Sequence, residues 1–112
     1  MNTIYDKEGM KVNSIVEGHM YNVYLHPTED QVGLPQTVLI QFQNGTTKEV
    51  GRNGLTNEVL LAILIDRTNA LNGRFHSEYN DKAIEHMKEA LQAFEDRTKT
   101  REARGVEGTH VE

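Results

Sequence analysis

Three arginines near the carboxyl end of the chain have the spacing of one binding face. Arg97, Arg101 and Arg104 follow one another at intervals of four and three residues, so on a helix they share one side. Guanidinium groups bind phosphate through paired hydrogen bonds and stay charged at every relevant pH. We therefore expect an anion site here, unless the arginines pair with neighbouring carboxylates instead. Those carboxylates are Glu95, Asp96, Glu102 and Glu107.

The segment after these arginines contains small residues that leave backbone N–H groups accessible. Gly105 and Gly108 are three residues apart, and Thr109 adds a hydroxyl group. Such a segment can wrap an anion or the edge of a base. It lacks the lysine of a Walker motif and does not precede a helix, and the alternative interpretation is a frayed terminus.

Two aromatic residues fall in the connection between two predicted helices. Phe75 and Tyr79 could provide the flat apolar surface on which a nucleobase stacks. The amide of Asn80 could contact a base or ribose edge. The alternatives are that Phe75 plugs the end of a helical hairpin and that Asn80 caps a helix.

The composition argues against several other classes of function. The 112 residues include no cysteine, which excludes disulfides, iron–sulfur clusters and thiol nucleophiles. The histidines lack metal-ligand spacing and no carboxylate pair stands out as an acid–base couple, so we expect no metal, no cofactor and no catalytic residue. A net charge of −5 argues against binding to nucleic acid polymers. Residues 1–10 do not read as a signal peptide, and residues 59–65, the longest apolar run, are too few to cross a membrane.

The first half of the chain predicts antiparallel strands. Residues 11–16, 21–25 and 38–42 are short runs rich in β-branched, aromatic or alternating apolar residues. Asn44-Gly45, followed by residues 46–50, has the signature of a β-hairpin with a type I′ turn, which needs positive φ at both central positions.

The second half predicts two helices. Thr56 can cap the first, which we expect over residues 57–71, with Asn72-Gly73 ending it. Ser77 or Asn80 can cap the second, which we expect to end near Arg104. The second helix has an apolar seam at alternating intervals of three and four residues, which suits an antiparallel hairpin or bundle. The seam is Ile84, Met87, Leu91, Phe94 and Thr98.

The expected fold is therefore a single α+β domain over residues 1–112. Antiparallel β-strands occupy residues 1–52, and an antiparallel two-helix hairpin with a C-terminal tail occupies residues 53–112. The first helix is apolar around much of its circumference, and a small domain often completes its core by association. We therefore expect a homo-oligomer.

Two segments carry a resemblance to a known family. Residues 53–67 read NGLTNEVLLAILIDR and resemble its first-helix signature, and residues 97–109 read RTKTREARGVEGT and resemble its C-terminal signature. The family is the helical-hairpin group of phage Thoeris anti-defence and anti-CBASS sponge proteins. The resemblance extends over residues 41–110. The strands before the hairpin make the chain more similar to the anti-Thoeris branch.

This resemblance implies that the chain binds and sequesters a cyclic nucleotide immune signal without cleaving it. It implies a homo-oligomer (a dimer or a hexamer) in the cytoplasm of the infected bacterial host. Cyclic ADP-ribose isomers made by TIR enzymes are the implied ligands, with cyclic di- and trinucleotides at a second site. By resemblance, the first pocket uses Asn80, Arg97 and Arg101, with Phe75 or Tyr79 stacking on the base. The second uses Arg104, Gly105, Gly108 and Thr109.

The connection between the helices departs from the family pattern. Many relatives have a Pro-Phe-Ala-Cys-Arg-Glu-Asn-like run where residues 74–80 of this chain read RFHSEYN. Relatives often carry a phenylalanine near the end of the first helix, where this chain has Ala70 and Leu71. A different interpretation of the same helices is a protein-interaction module that docks a host or phage protein. A nucleotide-processing enzyme is disfavoured by the missing acid–base couple.

Overall fold

A computed structural model describes residues 2–26, 33 and 36–103 of the chain. The chain divides into two compact units. One comprises Met1–Asn44 and Arg52–Leu55, and the other comprises Gly45–Gly51 and Thr56–Glu112. The predicted tail pocket at residues 104–109 lies outside the described residues.

The first unit contains a four-stranded antiparallel sheet whose strands follow one another in sequence order. The strands are β1 (Asn2–Lys7), β2 (Met10–Val16), β3 (Met20–Leu25) and β4 (Gln36–Gln41). Strands β2 to β4 confirm the predicted antiparallel strands of the α+β fold. The sequence reasoning missed β1, because its last residues, Asp6 and Lys7, interrupt the apolar pattern. β1 turns into β2 through Glu8 and Gly9, which have φ values of 56° and 72°.

The two faces of the sheet differ in polarity because side chains alternate along each strand. Val12 pairs with Val23, and Val23 pairs with Val38, so one face carries a row of valines across three strands. The opposite face buries a polar side chain. Asn13 is only 7% exposed, and its Oδ1 accepts a hydrogen bond of 2.9 Å from the Thr3 hydroxyl.

The predicted hairpin at Asn44-Gly45 is wrong. A short helix, α1 (Thr47–Val50), follows these residues in place of a strand. Thr46 is buried and its hydroxyl accepts a hydrogen bond from the backbone N–H of Glu49, so it acts as the helix N-cap. Thr46 therefore starts a helix, and the backbone N–H and carbonyl groups of Asn44 form hydrogen bonds with a side chain.

The partner of Asn44 is the side-chain amide of Asn53. The N–H of Asn44 donates to Asn53 Oδ1 at 2.9 Å, and Asn53 Nδ2 donates to the Asn44 carbonyl at 2.7 Å. Next to this pair, Phe42 and Leu55 form an isolated parallel bridge. Gly54 lies so close to Phe42 that any side chain there would collide with backbone, so this position requires glycine.

The second unit contains an antiparallel hairpin of two helices, α2 (Asn57–Arg74) and α3 (Glu78–Ala103). Thr56 caps α2 as predicted, and its hydroxyl accepts from the N–H of Val59 at 3.2 Å. The predicted break at Asn72-Gly73 is wrong, since α2 continues to Arg74. The side-chain amide of Asn72 forms hydrogen bonds with Ser77 and Asp81, which follow α2 in the chain. The backbone of Asn72 remains part of the helix.

The apolar seam of α3 faces α2, as its spacing predicts. Among the described residues, Ile84 is the apolar residue whose side chain is buried. The other residues of the seam are partly buried. Several apolar side chains of α2 remain exposed, including Val59 at 45% and Ile63 at 53%. Among the described residues, no helix has the length and apolar character needed to cross a membrane.

Candidate functional site

The hairpin tip, residues 75–80, carries the predicted aromatic pair at the end of the helical hairpin. Phe75 is 80% exposed and Tyr79 is 88% exposed. Phe75 therefore does not plug the hairpin end within one chain. Ser77 caps α3, since its hydroxyl accepts from the N–H of Tyr79 and its carbonyl accepts from the N–H of Asp81. Asn80 is therefore not the cap, and it lies half-buried in the first turn of α3.

Four residues form what we call the tip network, namely Asn72, His76, Ser77 and Asp81. Asn72 Nδ2 donates to Asp81 Oδ1 at 2.7 Å, and His76 Nε2 lies 2.8 Å from Asp81 Oδ2. The Oδ1 atom of Asn72 accepts from the N–H of Ser77 at 2.9 Å. Hydrogen bonds with Asn72 and His76 lower the pKa of the Asp81 carboxyl, which therefore stays ionised.

The predicted arginines lie near the other end of α3, which we call the arginine end. Arg97 and Arg101 are four residues apart on one side of the helix, as the spacing predicts. Arg97 is exposed, whereas Arg101 is half-buried and its Nε atom is buried. Each also takes part in another interaction within the chain. Their pairing with neighbouring carboxylates stays a prediction.

A shallow apolar groove of about 300 Å³ lies along the hairpin next to the arginine end. Phe94 belongs to its lining and precedes Arg97 by one helical turn on the same side of α3. The lining residues are Asn57, Leu60, Leu61, Leu64, Ala90 and Phe94. The hairpin therefore offers apolar surface and positive charge side by side.

The two ends of α3 are far apart within one chain. An α-helix rises about 1.5 Å per residue, so Asn80 lies about 26 Å from Arg97 along the helix axis. The same arithmetic places Asn80 about 32 Å from Arg101. One hairpin therefore does not bring the predicted ligand-binding residues together.

Among the described residues, metal-ligating side chains do not form a cluster that could hold a metal ion. Within residues 2–26, 33 and 36–103, no group of three or more histidine, aspartate or glutamate side chains is arranged to hold a metal ion. The tip network was missed by the sequence reasoning. Asn72, His76 and Asp81 have no motif spacing, and the position of Asn72 before glycine resembles a helix end.

Comparison with known proteins gives a family for this hairpin. The family model described as "Acb2/Tad1, hairpin domain" matches residues 35–99, which is more than half of the chain. The chain belongs to the Acb2/Tad1 hairpin family. The matched residues include α2, the hairpin tip and α3 as far as Lys99, and so they include Arg97, whereas Arg101 follows just beyond them.

A relative with a similar sequence comes from a phage. The chain is 44% identical over 72 residues to "Thoeris anti-defense 1" of Bacillus phage SBSphiJ7. The match covers 63% of this chain and 51% of the relative, so the chain spans about half the length of the relative it matches. The family resemblance read from the sequence is thereby confirmed.

Proposed function

We propose that this member of the Acb2/Tad1 hairpin family is a phage anti-defence protein that sequesters a cyclic nucleotide immune signal of the ADP-ribose type. It acts in the cytoplasm of the infected host and leaves the signal intact. The observation that carries the proposal is the hairpin itself, with an arginine pair at one end of α3 and an exposed aromatic pair beside Asn80 at the other.

Each end of the helix suits a different part of such a ligand. The guanidinium groups of Arg97 and Arg101 match a pyrophosphate, because each can form two parallel charge-assisted hydrogen bonds. Phe75 and Tyr79 offer rings on which an adenine can stack. Asn80 supplies an amide that can both donate and accept hydrogen bonds at a base or ribose edge.

The pocket is shared between two chains in this proposal. The separation of about 26 Å between Asn80 and Arg97 along α3 prevents one hairpin from holding a single small ligand with both. Two hairpins that run antiparallel would place the tip of one beside the arginine end of the other, twice per symmetric pair. The exposed apolar residues of α2, such as Val59 and Ile63, supply surface for this contact. The assembly is a dimer or a hexamer.

Sequestration fits the tip better than catalysis does. A general acid needs a carboxyl whose pKa is raised toward neutral pH. The carboxyl of Asp81 has a lowered pKa, because two neighbouring side chains form hydrogen bonds with it. It is suited to hold structure and unsuited to donate a proton as a general acid.

The arginine pair is tested by substitution with a matched control. Arg97→Ala should weaken binding of cyclic ADP-ribose isomers at least about thirtyfold, since truncating one partner of a desolvated charge pair costs about 2 kcal/mol or more. Lys99→Ala removes a positive charge from the opposite side of the same helical turn and should leave affinity nearly unchanged. Equal losses in both variants would show that Arg97 has no specific role in binding, and unfolding of Arg97→Ala would show that Arg97 is structural.

The shared pocket is tested by mixing two variants. Asn80→Ala and Arg97→Ala should each bind poorly as homo-oligomers. In a dimer of one variant with the other, one pocket contains both substituted residues, and the other pocket contains the native Asn80 and the native Arg97. Random mixing of dimers should therefore restore about one quarter of the wild-type sites. No restoration after verified subunit exchange would contradict a pocket shared in this way.

A second pocket for cyclic di- and trinucleotides is part of the proposal. It would use Arg104, Gly105, Gly108 and Thr109, and the support for it is the resemblance of residues 97–109. If it exists, a cyclic trinucleotide should bind without displacing an ADP-ribose-type ligand in a competition titration. Mutual displacement would reduce the proposal to one pocket.

One observation favours a protein-interaction module as a second candidate. The exposed apolar side chains of α2 and the groove lined by Leu60, Leu64 and Phe94 would also suit an amphipathic partner helix. Pyrophosphate competition separates the two functions. A nucleotide pocket at Arg97 is sensitive to millimolar pyrophosphate, whereas an apolar docking groove is not.

A further inference from the structure

The tip network connects three separate parts of the hairpin. Asn72 belongs to the last turns of α2, His76 belongs to the connection, and Asp81 belongs to the first turn of α3. Oδ1 of Asp81 accepts a hydrogen bond from Asn72 in α2, and Oδ2 of Asp81 forms a hydrogen bond with His76 in the connection. The carboxylate therefore fixes the connection relative to both helices.

This ordering occurs at a place where the large side chains contribute little to packing. Phe75 and Tyr79 are the most exposed large hydrophobic residues in the described part of the chain. Holding several exposed polar side chains in one arrangement costs conformational entropy, and exposed aromatics return little hydrophobic stabilisation. The arrangement therefore orders the backbone at the tip without burying the rings that it carries.

We infer that Asp81 is a positioning residue, which with Asn72 and His76 holds residues 75–79 so that Phe75 and Tyr79 present a fixed aromatic surface to a nucleobase. This inference rests on the proposed function. Asp81 does not contact the ligand in this arrangement. It acts through the backbone that carries the two rings.

The physical gain is preorganisation. A flexible tip would lose conformational entropy when a ligand bound between its rings, and this loss would subtract from affinity. A tip that is ordered before binding avoids that loss. Removing Asp81 should therefore lower affinity while leaving the arginine end and the seam of α3 unchanged.

The experiment compares two carboxylate truncations on the same helix. Asp81→Ala removes the centre of the tip network. Glu89→Ala is the matched control, because Glu89 and His86 form a similarly exposed histidine–carboxylate pair at 3.6 Å, away from the tip. Asp81→Asn is the conservative variant, since an amide can still accept from Asn72 and donate to His76.

Two quantities are measured on the full chain. The first is hydrogen exchange of the Ser77 and Tyr79 amides without ligand, because both N–H groups donate to side chains at the tip. The second is the affinity for the cyclic ADP-ribose isomer that the wild-type chain binds best. The first quantity reports the network, and the second reports its effect on binding.

We expect Asp81→Ala to exchange these amides about tenfold faster and to bind about tenfold more weakly, which corresponds to about 1.4 kcal/mol. Asp81→Asn should fall between Asp81→Ala and wild type in both measurements. Glu89→Ala should match wild type in both.

Three results would overturn the inference. Unchanged exchange at Ser77 and Tyr79 in Asp81→Ala would show that the network does not order the tip. Faster exchange with unchanged affinity, while Arg97→Ala abolishes binding, would refute the positioning role and leave the proposed function standing. Absence of binding by the wild-type chain would refute the proposed function, and the positioning role with it, whatever the exchange rates are.

Discussion

The close backbone approach at Gly54 leads to the sharpest stability prediction. A Cβ atom added there would lie 2.4 Å from the carbonyl carbon of Phe42, 2.6 Å from its oxygen and 2.7 Å from the backbone nitrogen of Gln43. All three are backbone atoms, so no side chain can rotate away to relieve the contact. The segment would have to move by about 1 Å to reach ordinary van der Waals separation.

Two backbone hydrogen bonds of Leu55, the residue after Gly54, resist that movement. The N–H of Leu55 donates to the Gln41 carbonyl at 2.8 Å, and the N–H of Gln43 donates to the Leu55 carbonyl at 2.9 Å. Overpacking costs about 1–3 kcal/mol, and each lost hydrogen bond adds about 1 kcal/mol. We therefore expect Gly54→Ala to lower the free energy of unfolding by about 3 kcal/mol and Tm by about 10 °C.

The assay is urea and thermal unfolding of Gly54→Ala beside the same substitution at another glycine. Gly73 lies within α2 and has no atom within 4 Å of an added Cβ. Gly73→Ala should therefore stabilise the chain by about 0.5–1 kcal/mol, because alanine is the better helix former. A Gly54→Ala protein as stable as wild type would refute the argument from close approach.

Three further outcomes can be checked by unfolding measurements. Ile84→Ala should lower the free energy of unfolding by about 3 kcal/mol, because it empties a buried position in the seam of α3; a loss below about 1 kcal/mol would contradict its core role. Thr56→Ala should cost about 1 kcal/mol by removing the N-cap of α2, while Thr56→Ser should restore most of it. The pKa of Asp81 lies below its usual 3.8 because of hydrogen bonds with Asn72 and His76, so its stabilisation is present above that pH and is lost as pH falls further. The Tm difference between wild type and Asp81→Ala should therefore shrink below about pH 4, and a constant difference would show that the carboxylate charge is not involved.

Local sequence patterns predicted the elements whose side chains repeat regularly. Apolar residues alternate along β4, which predicts a strand, and the three-four seam around Ile84 and Leu91 predicts a helix. The structure confirms both elements. The turn at Asn44-Gly45 was predicted wrongly because its outcome depends on distant residues. The amide of Asn53 bonds with the backbone of Asn44, and no local pattern encodes that contact.

The candidate site was predictable only in part, for a similar reason. The shared side of Arg97 and Arg101 follows from helical geometry, and so does their distance from Asn80. The tip network does not follow from any spacing, because Asn72 and Asp81 meet only after the chain reverses direction. Taken alone, an asparagine before a glycine indicates the end of a helix. Here Asn72 lies inside α2, which continues to Arg74.

The most direct test of the proposed function is equilibrium dialysis followed by recovery of the ligand. The purified chain is dialysed against a cyclic ADP-ribose isomer below the protein concentration, then denatured, and the released molecule is identified by mass and retention time. We predict that free ligand is depleted, that all of the bound ligand is recovered unchanged after denaturation, and that Arg97→Ala depletes the ligand less than wild type does. Ligand recovered in cleaved form would contradict sequestration, and free ligand that stays undepleted for every isomer would contradict binding.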